Sequence, residues 1–286
     1  MDLLKKTQEL CRLYEIKPAR SKGQNFLIKE DVYDQIIAAA DLNADDVVLE
    51  VGPGLGFLTS KLAKIVKKVI AVELDDRLAE VLQIGLDSQN VKNVKIRNEN
   101  VLDLKWPLAD TTSPRPSPEP GEGEMRYKIV ANLPYNISSV FLRKFLSSEN
   151  KPESMVLMLQ KEVAERICAR PGEMSLLAIS VQFYAKPEIV QSVDADCFWP
   201  EPAVGSAIIK LKVKSEKLKI NEKEFFRLVK IGFSARRKML KNNLAAGYKI
   251  DQKIIAEKIK MAGISENCRP QELSVDDWLK LFNLFR

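Results

Sequence analysis

Residues 47–62 constrain this chain more than any other stretch. The run Val47, Val48, Leu49, Glu50, Val51 leads into Gly52, Pro53, Gly54, Leu55, Gly56, and then into Phe57-to-Leu62. The first run is apolar, β-branched and of strand length. The second is a glycine turn, and the third starts a helical spacing that continues to Val66. A strand that turns on glycines into a helix lets the backbone approach a ligand closely, and the helix N-terminus favours negative charge. The glycine spacing is G-x-G-x-G, not the G-x-G-x-x-G of dinucleotide binders. That difference weighs against a pyrophosphate cofactor. A compact adenosine with a zwitterionic tail suits the turn as well or better.

The alternation continues on both sides. Helical spacing is predicted over residues 30–41, and a second strand in KKVIAVELD is followed by a helix at about 76–86. NVKIRNEN and YKIVANLPY read as the third and fourth strands, with a helix in SSVFLRKFL; SMVLMLQ is a fifth strand before a helix around KEVAERICA. Buried strands alternating with amphipathic helices predict an α/β fold with a parallel, doubly wound sheet. KPEIVQSV and SAIIKLKV suit an antiparallel hairpin at the sheet edge. From about Asn221 the pattern is wholly helical: EKEFFRLVKIGF, ARRKMLKNNLAAG, DQKIIAEKIKMAG and SVDDWLKLFNLF. The expected division is therefore a 1–213 domain and a small helical 214–286 domain. Residues 109–126 hold four prolines, two glycines and almost no apolar side chain, and are expected to form a flexible surface loop.

Composition excludes several chemistries. The chain has no histidine, so there is no Ser-His-Asp triad, Cys-His nucleophile or H-E-x-x-H zinc site. Cys11, Cys168, Cys197 and Cys268 are scattered without a C-x-x-C pair, which supports neither a disulfide framework nor a bound metal and suits a reducing compartment. No apolar run reaches the ~18 residues that span a bilayer, so no membrane partner is expected. The amphipathic N-terminus lacks the features of a signal peptide, and the expected location is the cytoplasm. The net charge is uneven. Residues 210–286 carry 19 Lys and Arg against 9 Asp and Glu, leaving 26 against 30 in the remainder. A basic C-terminal quarter on a mildly acidic body suggests a polyanion-binding module.

Two further motifs carry the chemistry. Glu73 ends the second strand, where a carboxylate accepts from both hydroxyls of a ribose. Asn132, Leu133, Pro134 and Tyr135 end the fourth strand, on the side of the sheet where ligand sites form. The lone pair of adenine N6 is delocalised into the ring and is a poor nucleophile. The Asn132 side-chain oxygen and the Leu133 carbonyl suit the two N6 protons, holding the nitrogen toward a methyl donor, so rate comes from positioning. Such chemistry starts without a deprotonating base. Pro134 stiffens the turn, and Tyr135 offers a face on which a flipped base stacks. Phe198, in a second aromatic-proline loop, is expected over the other face of the base.

In order along the chain, Lys22-to-Leu27, EVGPGLGFLT, VELD, NLPYNISS, QKEVAERI, FWPEPAVGSAIIKL and FSARRKMLKNNL resemble the KsgA-type family of ribosomal RNA adenine N6-dimethyltransferases. The resemblance implies a Rossmann-like class I methyltransferase sheet with a small all-helical C-terminal domain. It implies S-adenosyl-L-methionine as cofactor, and N6,N6-dimethyladenosine at two adjacent adenosines near the 3′ end of small-subunit rRNA. The substrate would be an immature 30S-type particle, and the protein a monomer. By position, Gln24, Asn25, Leu27, Gly52, Gly54, Glu73, Asn100 and Asn132 would line the cofactor site. Asn132, Leu133 and Pro134 would hold the amine, between Tyr135 and Phe198. Asn100 stands where the family commonly has Asp; Asp103 is the alternative register. Arg236, Arg237, Lys238 and Lys241 would contact RNA phosphate. Three other readings remain: a macrolide-resistance methyltransferase of large-subunit rRNA, a non-catalytic assembly factor, and a nicotinamide-dependent oxidoreductase.

Overall fold

The computed structural model describes residues 2–18, 24–105, 126–215 and 219–285. Almost all of the proline-rich 109–126 stretch, and Lys22 and Gly23 of the opening motif, lie outside the described residues.

The chain divides into two compact units, residues 1–164 with 188–213, and residues 165–187 with 214–286. The expected division had one cut, at 213. The structure also groups 165–187 with the C-terminal helices, because the return segment is tied there by backbone bonds: Gly172 N–H and Met174 N–H both donate to the Gln271 carbonyl.

In the first unit, α1 (Leu3–Leu13) is capped by the Asp2 side chain, and a two-residue strand β1 (Phe26–Leu27) precedes α2 (Glu30–Ala39). Then come β2 (Val47–Val51), α3 (Phe57–Leu62), β3 (Lys68–Glu73), α4 (Asp76–Ser88) and β4 (Val94–Asn98). They are followed by β5 (Lys128–Asn132), α5 (Ser138–Leu146) and β6 (Ser154–Gln160). After α6 (Lys161–Ile167) the chain passes through the second unit, which contains α7 (Leu176–Gln182), and returns along β7 (Ala185–Val193) to the short β8 (Phe198–Trp199) and to β9 (Ser206–Val213). The seven-stranded sheet has the order β4-β3-β2-β5-β6-β9-β7. Strands β2 to β6 are parallel where paired, and β9 runs antiparallel to β6 between it and β7. The order reverses at β2, beside β5, so the carboxyl ends of these two strands flank the switch point where doubly wound sheets bind ligands.

The central strands are near-continuous apolar runs because both faces are covered. Val48 and Leu49 of β2 and Ile129 and Val130 of β5 are fully buried. Val48, Val69, Val130 and Val156 pack with Val32 and Ile36 of α2 and with Leu58 and Leu62 of α3. Each large aliphatic buried this way contributes roughly 1.5–3 kcal/mol, which pins the start of α3 next to the glycine turn. The helix expected to run to Val66 stops at Leu62. The Asn93 side chain donates to the Ala63 and Val66 carbonyls (2.8 and 2.9 Å), capping a turn where a longer helix was predicted.

The second unit holds α8 (Glu222–Gly232), α9 (Leu240–Tyr248), α10 (Gln252–Met261) and α11 (Val275–Asn283). The helix expected over 235–247 begins only at Leu240. The buried Asn243 side chain donates to the Gly232 and Ala235 carbonyls (2.5 and 3.0 Å), which holds residues 234–239 as a turn. Among the described residues, no helix is long and apolar enough to cross a membrane.

Candidate active site

Gly52, Gly54 and Gly56 all take positive φ, at 65°, 57° and 80°. At Gly56 a Cβ would come within 2.5 Å of Leu82 Cδ1, so a side chain there would force the buried Leu82 side chain aside and strain the positive-φ backbone. At Gly52 a Cβ would lie 3.6 Å from Pro134 Cδ and 3.7 Å from the Asn132 carbonyl oxygen. The glycine turn after β2 and the Asn-Leu-Pro-Tyr turn after β5 are therefore in van der Waals reach of each other.

One cleft of about 290 Å3 contains Gln24, Asn25, Leu27, Gly52, Gly54, Glu73 and Asn100 together with Asn132, Leu133, Pro134, Tyr135 and Phe198. All twelve residues expected at the cofactor and base sites thus line a single space. β1 and β8 explain how distant segments meet there: Phe26 pairs with Trp199 and Leu27 with Phe198. The Tyr33 hydroxyl donates to the Leu27 carbonyl at 3.0 Å and pins that ribbon from below. Asp103 is not among the cleft residues, whereas Asn100 is. The Asn100 Oδ1 accepts from Leu102 N–H at 3.0 Å, and its second lone pair remains for a ligand. Arg236, Arg237 and Lys238 sit in the exposed α8–α9 turn, and Lys241, on α9, donates to Asn267 Oδ1 at 3.0 Å.

The polar lining is specific. Glu73 is buried, and its Oε2 accepts from Gly54 N–H at 3.1 Å while Oε1 accepts from Leu74 N–H and Asp75 N–H at 2.9 and 3.0 Å. Burial pushes its carboxyl up, and the three amide donors pull it back toward the anion. Neither the Asn132 carboxamide nor the Leu133 carbonyl oxygen has a hydrogen-bond partner among the described residues. Leu133 N–H itself is held by the Met158 carbonyl at 3.2 Å, so the turn is fixed while its acceptors stay open.

Glu50 was read from the sequence only as part of a strand, yet it is 1% exposed, and its Oε2 has no partner. A lone acid inside a β-branched run was the signal. Burial pushes this carboxyl up to about 8, the Glu73 charge adding to burial and Thr59 opposing it. Between the ordinary value of 4.5 and about 8, the folded chain holds a proton that the unfolded chain has released. Stability contributed by that proton is present at low pH and is lost as pH rises through this window. Glu50→Gln, which mimics the neutral carboxyl, is expected to raise the unfolding temperature relative to the parent at pH 8.5 and to match it near pH 4.5. A difference that stays constant with pH would contradict a buried, proton-holding Glu50.

A Rossmann-like sheet, a glycine turn facing an acidic strand end, and an Asn-Leu-Pro-Tyr turn in the same cleft define a class I methyltransferase. A sequence model of the family Ribosomal RNA adenine dimethylase matches residues 17–286. The chain belongs to that family. It is 42% identical to a "Ribosomal RNA small subunit methyltransferase A" of Dehalococcoides mccartyi (strain CBDB1), over 98% of this chain and 92% of the relative. A protein of the same name from Clostridioides difficile (strain 630) is 36% identical, over 97% and 94%. Among solved structures, a dimethyladenosine transferase from Plasmodium falciparum superposes with a TM-score of 0.74 at 28% identity, covering 90% of this chain and 95% of that one. The 23S rRNA methyltransferase ErmE gives 0.69 at 26% identity, covering 91% and 99%.

Proposed function

We propose that this chain transfers methyl groups from S-adenosyl-L-methionine to the N6 amine of two adjacent adenosines near the 3′ end of small-subunit rRNA. The substrate is an immature 30S-type particle in the cytoplasm, the product is N6,N6-dimethyladenosine, and the enzyme works as a monomer. The observation that carries the reading is the pair of open acceptors, Asn132 Oδ1 and the Leu133 carbonyl, set against the glycine turn.

The residues present fit this cofactor. Three positive-φ glycines leave room for close approach, Glu73 Oε2 keeps a lone pair for a ribose hydroxyl, and the unpartnered Glu50 Oε2 suits an ammonium. Bound S-adenosylmethionine supplies an electrophilic methyl carried on a sulfonium. Asn132 and Leu133 accept from the two N6 protons, which aims the nitrogen lone pair without removing a proton beforehand. Tyr135 and Phe198 hold the extruded base between them; a stacked face is worth roughly 1–3 kcal/mol. Each methyl takes the place of one N6 proton, which passes to water; after the second transfer no N–H donor is left for Asn132 or Leu133, so the site lets go of the dimethylated base.

The exposed Arg236, Arg237 and Lys238, with Lys241, supply a sequence-independent hold on phosphate. Replacing Arg236 and Arg237 together with Ala is expected to weaken RNA binding and to lower the slope of log affinity against log salt by nearly two. A slope equal to the parent's would remove this turn from the RNA interface.

The relatives named for the small subunit, at 36–42% identity, favour that substrate over the ErmE-like alternative at 26%. The direct test supplies methyl-labelled S-adenosylmethionine to immature small subunits and, separately, to large-subunit particles. Label is expected in adenine of the small-subunit rRNA. Label confined to the large subunit overturns the substrate, and no label in either overturns the enzyme reading.

A further inference from the structure

Ser206 was not singled out from the sequence, and its place in the fold is odd for a serine. It opens β9, is 0% exposed, and its backbone pairs with Gln160 as any residue's would. A hydroxyl buried this deeply is unfavourable unless hydrogen-bonded, and alanine would fill the site without that demand. The Ser206 hydroxyl has one partner among the described residues: the phenol oxygen of Tyr135, 2.7 Å away. Tyr135 is held at its other end too. It begins the short 3-10 turn Tyr135–Ile137, where Ile137 N–H donates to the Pro134 carbonyl and Ser138 Oγ donates to the Tyr135 carbonyl, both at 3.2 Å. The ring between these two attachments lines the cleft.

We propose that Ser206 is a positioning residue for methyl transfer: its hydroxyl locks the Tyr135 ring in the plane on which the target base stacks. The inference rests on the proposed reading of Tyr135 as one face of the base pocket. Main-chain bonds fix only where the Tyr135 side chain starts. The staggered wells of its first torsion lie about 120° apart, and a phenol tethered to β9 stays in one of them. The strand order makes this tether rigid, because β9 pairs with β6, and β6 pairs with the strand that carries Asn132. The stacking face and the amine-holding carboxamide are thereby referred to the same sheet.

The test is a double-mutant cycle on methyl transfer to immature small subunits. Ser206→Ala and Tyr135→Phe each remove the bond from one side and keep the packing. Each is expected to lower kcat about tenfold while the KM for S-adenosylmethionine stays within about twofold of the parent, a split that a general loss of structure does not produce. The double variant is expected to fall no further than the worse single one, since both remove the same contact. Tyr135→Phe keeps the proposal testable if Ser206→Ala folds poorly. Parent-level kcat in Tyr135→Phe, or losses that multiply in the double variant, overturn the role of Ser206. Tyr135→Ala separates that outcome from failure of the underlying reading: if the ring itself can be deleted without loss of turnover, Tyr135 is not a face of the pocket, and both fall together.

Discussion

Asn132→Ala is expected to abolish methyl transfer while S-adenosylmethionine still binds. The structure leaves the Asn132 carboxamide and the Leu133 carbonyl without partners at the end of β5. Deleting the carboxamide removes one of the two acceptors that aim the N6 lone pair, and an amine held by one bond swings about it. A misplacement of about 1 Å at a reacting atom lowers rate by roughly 10²-fold, and the lost hydrogen bond adds to that. The chain has no histidine to substitute as a base. The proposed cofactor contacts at Gln24, Gly52 and Glu73 are on other elements, so affinity for S-adenosylmethionine, read by calorimetry, is expected to change little. Turnover near the parent value would show that the amine is held elsewhere.

The second large effect is expected at Glu73. Its carboxylate accepts from Gly54, Leu74 and Asp75 N–H, so it shapes the glycine turn and the β3–α4 turn at once, besides its proposed role at the ribose. Glu73→Ala orphans three part-buried donors, and each charge-assisted bond lost amounts to about 1.5–3 kcal/mol. At about 1.4 kcal/mol per factor of ten, cofactor affinity is expected to drop at least tenfold, and the unfolding temperature to fall with it. Glu73→Gln is not a rescue. An amide group has one oxygen, and its NH2 must then face Gly54 N–H or the Leu74 and Asp75 pair, setting donor against donor. Equal affinity in both variants would take Glu73 out of the ribose site.

Much of this fold was legible because period and length agree along the parallel core. SMVLMLQ is β6 to the residue, and the KPEIVQSV and SAIIKLKV runs are β7 and β9 at the far edge of the sheet. What the pattern missed is physically consistent. β1 and β8 are two residues each, too short to carry any periodicity, yet their pairing closes the cleft. α7 went unread between a glycine and a strand, and its buried Ala178, Ile179 and Val181 pack with a unit that begins in earnest thirty residues later. The basic stretch was expected on a helix and lies in a turn because Asn243, further along the chain, takes the carbonyls that would have continued α8.

At the site, the residues proposed to touch a ligand are visible as motifs, and those that hold them are not. Gly52, Glu73 and Asn132 sit at strand ends, where sequence position alone argues for a ligand. Ser206 meets Tyr135 across 71 positions of sequence, Tyr33 reaches from α2 to the Leu27 carbonyl six residues back, and Glu50 is buried without a partner for its Oε2, none of which a strand or helix period encodes. Only Glu50 left a trace, as an acid within an apolar strand.

The proposed methyl transfer depends on where the sulfonium lies when the donor is bound. A crystal of this chain soaked with S-adenosylmethionine is expected to place the donor methyl beside the Asn132 Oδ1 and Leu133 carbonyl oxygens, with the ribose against Glu73. A donor found in the cleft with its methyl turned away from the Asn-Leu-Pro-Tyr turn, or bound outside the cleft, would contradict it.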